Sequence, residues 1–148
     1  MPAEGAARKT KTQYRSAFRL VGMTSEPLGI LLLSGEHDRA HYAFVLATGA
    51  AALGRAVVLF ATNAGCHALL EDWSGLQNKE RDAAIARRGV AGLAELREAA
   101  RELHIRLIVC EAGLRAEALE QRPLFGSVAV AGVATFLNEV GAGQIIAI

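Results

Sequence analysis

Residues 28–60 read LGILLLSGEHDRAHYAFVLATGAAALGRAVVLF and contain two short apolar runs around a segment of helical periodicity. The first run, 28–33, closes at a Ser-Gly pair, which predicts a buried strand and a turn. The segment 37–53 alternates polar and apolar residues at helical spacing, and Gly54 is a typical helix C-terminal residue. The second run, 55–60, predicts another strand. This order is typical of a βαβ unit with parallel strands.

The rest of the chain continues the alternation of strands and helices. The pattern predicts a short helix near Cys66 and a loop with one helical turn over 71–89. Further helices are predicted over 90–103, 111–120 and 133–140, and further strands over 105–109, 127–131 and 144–148. Strands that alternate with helices predict an α/β fold with a parallel sheet between helical layers. No internal repeat divides the chain.

Length and charge set further limits. A chain of 148 residues with a net charge of +1 fits one domain, and this charge is too small to attract nucleic acid over the whole surface. We expect a flexible basic tail over 1–26, with five basic residues against two acidic ones, and a domain over 27–148. The apolar stretches are shorter than the ~20 residues that span a bilayer. We therefore expect a cytoplasmic protein with reduced thiols and no membrane span.

Ligands of open parallel sheets bind beyond the carboxyl ends of the strands. Three turns bring polar or reactive side chains to that edge, one after each of the first three strands. The candidate binding residues there are Ser34, Gly35, Asn63, Cys66, His67, Glu111, Ala112 and Gly113, with Cys110 as the candidate catalytic residue.

Cys110 follows a predicted strand and precedes a predicted helix. Free N–H groups at the start of the helix favour a thiolate, which is the nucleophilic form of cysteine. The neighbouring Glu111 opposes this if its carboxylate points inward. The alternative is that Cys110 is a small buried apolar residue, since free cysteines are often buried.

Cys66 follows the second strand and is next to His67. A structural role in the core is the favoured interpretation of Cys66, and a second or resolving thiol is the alternative. His37 and His41 have the spacing of two ligands on one helical face, but no HExxH motif is present. We therefore interpret them as a solvated helix start, and expect no metal site.

Other signatures of catalysis are missing. The sequence has no GxGxxG after a strand, no GxxxxGK[ST] phosphate loop and no GxSxG elbow. Nothing in the sequence therefore indicates a nucleotide or another cofactor, and we expect none.

Three segments together resemble the DsrE/DsrF-like family of small sulfur-relay proteins: residues 30–60, the LIVCE turn at Cys110, and the closing VAVAGVATFLNEVGAGQIIAI. The resemblance covers residues 28–148 and implies a three-layer α/β/α sandwich with a five-stranded parallel sheet. It also implies a persulfide on the cysteine after the third strand, which Cys110 matches. Glu111 departs from the small or basic residue usual at that position.

The resemblance further implies exchange of sulfur with donor and acceptor proteins, and homo-oligomers or hetero-oligomers, often trimers or dimers of trimers. The first functional hypothesis is thus a sulfur carrier or sulfurtransferase component that uses Cys110. The second is a non-enzymatic subunit that binds a small ligand or serves in assembly. The third is thiol-dependent peroxide reduction, which needs a disulfide between Cys66 and Cys110, although the PxxxTxxC pattern of peroxidatic cysteines is absent.

Overall fold

The structure, a computed structural model, describes residues 26–148. The strands in chain order are β1 (Leu28–Leu32), β2 (Val57–Ala61), β3 (Arg106–Cys110), β4 (Ala129–Ala131) and β5 (Gln144–Ala147). The helices are α1 (His37–Ala52), α2 (Arg81–Ala86), α3 (Leu93–Glu102), α4 (Glu111–Ala116) and α5 (Val133–Val140), with a 3₁₀ helix over Asn63–Leu69. The predicted tail lies outside the described residues, apart from Glu26.

All five strands are parallel and lie in the order β4-β3-β2-β1-β5. The predicted fold class, an α/β sandwich around a five-stranded parallel sheet, is therefore confirmed. Helical crossovers join the strands, so each strand ends at the same edge of the sheet. This edge holds the start of α1, the 3₁₀ helix and the start of α4.

The two faces of the sheet are covered differently. Alternate residues of a strand point to opposite faces. On the first face, Leu28, Ile30 and Leu32 belong to a large buried core under α1 and α3. On the second face, a smaller apolar cluster includes Phe60 and Phe136, whose rings stack with centroids 5.1 Å apart. Among the described helices, α5 alone contributes to this second cluster.

Close packing of α5 depends on a glycine in β1. A Cβ added at Gly29 would lie 2.6 Å from Cγ2 of Val140, which is closer than real Cβ contacts. The missing side chain therefore lets α5 approach the strand directly.

The short elements differ from their predicted forms. The predicted helix near Cys66 is a 3₁₀ helix that holds this residue in its middle. The predicted helix over 111–120 ends at Ala116, because Ala118 adopts the left-handed region with φ of +54° and interrupts the helical backbone. The predicted loop with one helical turn over 71–89 contains α2.

The interpretation of His37 and His41 as a solvated helix start is wrong. They are 0 % and 5 % exposed, respectively. Nε2 of His37 lies 2.8 Å from Oδ1 of Asp82, and Nε2 of His41 lies 2.8 Å from the carbonyl oxygen of Ala91. Both partners lie in the segment 71–92, which folds over the start of α1. The same Asp82 oxygen accepts a hydrogen bond from the backbone N–H of Leu93 and so caps α3.

Candidate functional site

Cys110 is both the last residue of β3 and the N-cap of α4. Its Sγ accepts a hydrogen bond from the backbone N–H of Gly113 at 3.3 Å. The sulfur therefore takes the place that a serine or aspartate oxygen takes at other helix starts. A sulfur that carries negative charge accepts such a hydrogen bond more strongly than a neutral thiol does. The residue is 8 % exposed, so it keeps a small accessible surface.

Gly113 separates Cys110 from the 3₁₀ helix. A Cβ added at Gly113 would lie 3.0 Å from Sγ of Cys66 and 3.0 Å from Oγ1 of Thr62. It would also lie 3.1 Å from the backbone nitrogen of Asn63. The two cysteines are thus neighbours of one glycine, which faces Cys110 with its N–H group and Cys66 with its α-carbon.

The acidic residue beside Cys110 does not point into the site. The side chain of Glu111 is 64 % exposed, and its Oε1 lies 3.9 Å from Nη2 of Arg115 one helical turn later. Ala112 is also exposed. The carboxylate therefore faces solvent rather than the thiol.

Cys66 is 0 % exposed and its Sγ lies 3.8 Å from the carbonyl oxygen of Ala61. Burial, with smaller contributions from Cys110 and Glu117, raises the pKa of the Cys66 thiol from 9.0 to about 12. At neutral pH Cys66 is therefore a protonated thiol and a poor nucleophile. Both cysteines are free in the structure. This protonation supports a structural role for Cys66 and weighs against the peroxide-reduction hypothesis, which needs Cys66 to attack.

The residues predicted after the first two strands build the edge of the sheet rather than contact the thiol. Oγ of Ser34 accepts a hydrogen bond from the N–H of Glu36 at 3.1 Å and so shapes the turn before α1. A Cβ added at Gly35 would lie 2.6 Å from Cβ of Ala64, so the two turns pack directly together. Asn63 adopts a φ of +50° at the start of the 3₁₀ helix.

His67 packs against Gly75, a residue of the segment 71–92. Its Nδ1 is buried and has no hydrogen-bond partner among the described residues. No hydrogen bond joins His67 to Cys66 or Cys110 in that part of the chain. The structure therefore does not bring the neighbouring cysteine and histidine together as a reactive pair.

The sequence left open whether Cys110 is a buried apolar residue, and it did not predict which side chains surround it. Its side chain belongs to the second-face cluster with Phe60, Ile108 and Phe136. Ala131 of β4 pairs with Cys110 in the register of the sheet and packs against the same cluster. The register of the strands identifies these neighbours, and this register cannot be read from the sequence.

Residues 26–148 lack the features of a metal centre and of a membrane span. This range contains no group of three or more His, Cys, Asp or Glu side chains that could hold a metal ion. It also contains no helix of the length and apolarity that a membrane crossing requires.

The fold and the site define a parallel α/β domain with a nearly buried thiol at the carboxyl edge of its sheet. No family model matches the sequence. The crystal structure of YchN from E. coli matches 84 % of this chain and 100 % of its own, with a TM-score of 0.58 and 11 % identity. The two proteins therefore share a DsrE-like fold. YrkE of Bacillus subtilis, an uncharacterized protein, is 24 % identical to this chain over a match that covers 78 % of this chain and 92 % of YrkE.

The crowding around Gly113 predicts opposite effects for two glycine-to-alanine substitutions. Gly49 is exposed in α1, and an added Cβ would meet no atom within 4 Å other than its own helical backbone, so Gly49→Ala should stabilise the protein by about 0.5–1 kcal/mol. Gly113→Ala should destabilise it by about 1–3 kcal/mol, because the new methyl group overpacks the contact with Cys66 and Thr62. Urea unfolding measures both free energies. Equal stabilisation by the two substitutions would contradict the packing described above.

The raised pKa of Cys66 predicts a loss of stability in alkali. Because the folded state holds this proton more tightly than the unfolded state, the contribution is complete below pH 9.0 and falls as pH approaches about 12. The wild type should therefore lose up to roughly 1.4 kcal/mol per pH unit more than Cys66→Ala in this window. Urea unfolding under reducing conditions at several pH values measures the slopes. Gly49→Ala, which changes no ionisable group, is the control and should keep the wild-type slope.

Proposed function

We propose that this protein is a sulfur carrier of the sulfurtransferase type, which holds a persulfide on Cys110 during intracellular sulfur relay. The observation that carries the proposal is the hydrogen bond from the N–H of Gly113 to Sγ of Cys110 at the end of β3. This N–H group donates to Sγ, the atom on which negative charge lies when the thiolate attacks a donor and again when it leaves during unloading. The DsrE-like fold shared with YchN supports the proposal at the level of the fold.

Loading conserves atoms and electrons without an added oxidant. The thiolate of Cys110 attacks the outer sulfur of a donor persulfide, the sulfur–sulfur bond of the donor breaks, and the donor thiolate leaves with the bonding electron pair. Unloading is the same reaction in reverse order. An acceptor thiolate attacks the outer sulfur on Cys110, and the thiolate of Cys110 is the leaving group.

The apolar surroundings of Cys110 support its role as a holding site. Phe60 and Phe136 exclude water from one side of the sulfur, and Cys110 itself is 8 % exposed. Limited exposure slows the attack of dissolved thiols on the bound sulfur. A partner that docks here makes contacts next to the reacting sulfur atom. We therefore expect the sulfur donor and the sulfur acceptor to be proteins or other molecules that fit against the surface around Cys110.

Mass spectrometry after incubation with a persulfide donor tests the carrier proposal. The wild type should gain the mass of one sulfur atom, and peptide mapping should place it on Cys110. Cys110→Ser should gain none, because it lacks the nucleophile. Cys66→Ser is the matched control and should load at about the wild-type rate, since Cys66 is protonated at neutral pH.

Two results would remove the carrier proposal. One is a Cys110→Ser variant that still accepts sulfur at the wild-type rate. The other is a wild type that gains no sulfur while its Cys110 resists alkylation in the folded state. The second result would leave a binding or assembly subunit as the function.

A second candidate function, that of an oligomeric assembly subunit, has an observation of its own. Val133 and Leu137 lie four residues apart on one side of α5, and their side chains are 54 % and 51 % exposed, respectively. Ile145 of β5, next to α5, is 42 % exposed. Exposed apolar residues that lie together are typical of protein–protein contacts. A homo-oligomer, such as a trimer or a dimer of trimers, would cover them.

Light scattering coupled to gel filtration tests the oligomer. The wild type should have a multiple of the single-chain mass of 15.6 kDa. Leu137→Glu should shift it to one chain, because a charge in an apolar contact is costly. Leu53→Glu is the control, since Leu53 is 88 % exposed at the end of α1, and should not change the mass. A wild type that elutes as a single chain contradicts the proposal.

A further inference from the structure

Arg97 occupies a position of α3 where an apolar side chain is expected. Leu93 and Ala100, four residues before it and three after it, are both 0 % exposed and face the core. Arg97 lies between them on the same side of the helix and is itself 2 % exposed. The helix therefore buries a guanidinium group on its apolar side.

Two of the three nitrogens of the Arg97 guanidinium have no hydrogen-bond acceptor among the described residues. Its Nη2 donates to the backbone oxygen of Glu71 at 3.3 Å, whereas Nε and Nη1 are buried and have no partner among the described residues. The Cζ atom lies 4.0 Å from the ring centroid of Phe125, a cation–π contact that satisfies none of these N–H groups. Each buried donor without an acceptor destabilises the folded protein.

The buried group nevertheless keeps its charge. Burial lowers the pKa of Arg97 to about 10, while Glu98 and Glu71 act in the opposite direction, so the side chain is cationic at neutral pH. An apolar side chain of similar volume is often as stabilising as a buried charge, or more so. Packing alone therefore does not account for an arginine at this position.

A cleft of about 570 Å³ opens beside Arg97. This volume is that of a small-molecule site, but the cleft is open to solvent rather than enclosed. Leu124 and Phe125 form an apolar wall, and Arg101 lies at the rim with its Nη2 2.8 Å from Oε2 of Glu98. The ion pair of Arg101 and Glu98 has no net charge, and Glu71 adds one negative charge nearby. The cleft therefore does not suit a ligand of high negative charge. Cys110 and its neighbours do not line the cleft.

We propose that this cleft binds a small carboxylic acid, whose carboxylate accepts hydrogen bonds from Arg97 and whose apolar part contacts Leu124 and Phe125. A carboxylate supplies the acceptors that Nε and Nη1 lack and carries a single charge. The ring of Phe125, which is half-buried, lies over the guanidinium, so binding as proposed requires this ring to move aside. The site is separate from Cys110, and its function does not rest on sulfur transfer.

Benzoate and benzamide are matched probes, because they have nearly the same shape and differ in charge. Titration of benzoate into the full-length protein, at constant ionic strength with chloride, should give saturable binding and a higher melting temperature. Benzamide should give neither. In amide NMR spectra, the benzoate-induced shifts should centre on Leu124 and Phe125 rather than on Gly113.

Arg97→Met keeps the volume and removes the charge. This variant should fold with a melting temperature at or above that of the wild type, and should bind benzoate roughly tenfold more weakly or worse, the loss expected for a missing charged donor. Arg87→Met, an exposed substitution at the end of α2, is the control and should bind benzoate as the wild type does.

Three results would overturn the proposal. The first is a wild type that shows no saturable response to benzoate beyond that to chloride or benzamide. The second is an Arg97→Met variant that binds benzoate as tightly as the wild type. The third is a set of benzoate-induced amide shifts in the wild type that lie away from Leu124 and Phe125. This third result can be obtained even if the Arg97→Met variant fails to fold.

Discussion

Parallel pairing of β1 with both β2 and β5 is the interaction on which the rest of the structure depends. Leu28 pairs with Val57 on one side and with Gln144 on the other. Because all strands run in one direction, the thiol of Cys110, the 3₁₀ helix and the turn before α1 all lie at one edge. The N–H of Thr62 donates to the oxygen of Leu32 at 3.0 Å, so neighbouring turns at this edge are also bonded to each other.

The surroundings of the two cysteine thiols differ because the two residues lie at different distances from the ends of their strands. Cys110 comes at the end of its strand, so its sulfur caps the following helix and stays near the surface. Cys66 comes five residues after Ala61, the end of its strand, and the 3₁₀ helix turns it into the large core on the first face. Hence the sulfur of Cys66 lies among apolar side chains, whereas that of Cys110 has a backbone N–H group beside it.

The sequence predicts those features that depend on local pattern. Apolar runs identify all five strands, and the strand-to-helix junction places Cys110 at the edge of the sheet. Features that depend on contacts distant in the chain are not predicted. His37 looks solvated because its partner Asp82 is 45 residues away. The crowding at Gly113 and the buried position of Arg97 likewise depend on segments that only the fold brings near.

The double contact of Asp82 has a consequence for the motions of the protein. One carboxylate oxygen accepts from the N–H of Leu93 and also lies 2.8 Å from Nε2 of His37, so it joins the starts of α3 and α1. Helix α2, which contains Asp82, has no buried residue of its own. Such a segment has few local contacts to hold it, and it opens as a unit when its few anchors break. Helix α2 is therefore expected to open more easily than the sheet beneath, whereas Leu76, which is 3 % exposed, ties the start of the segment 71–92 to the large core.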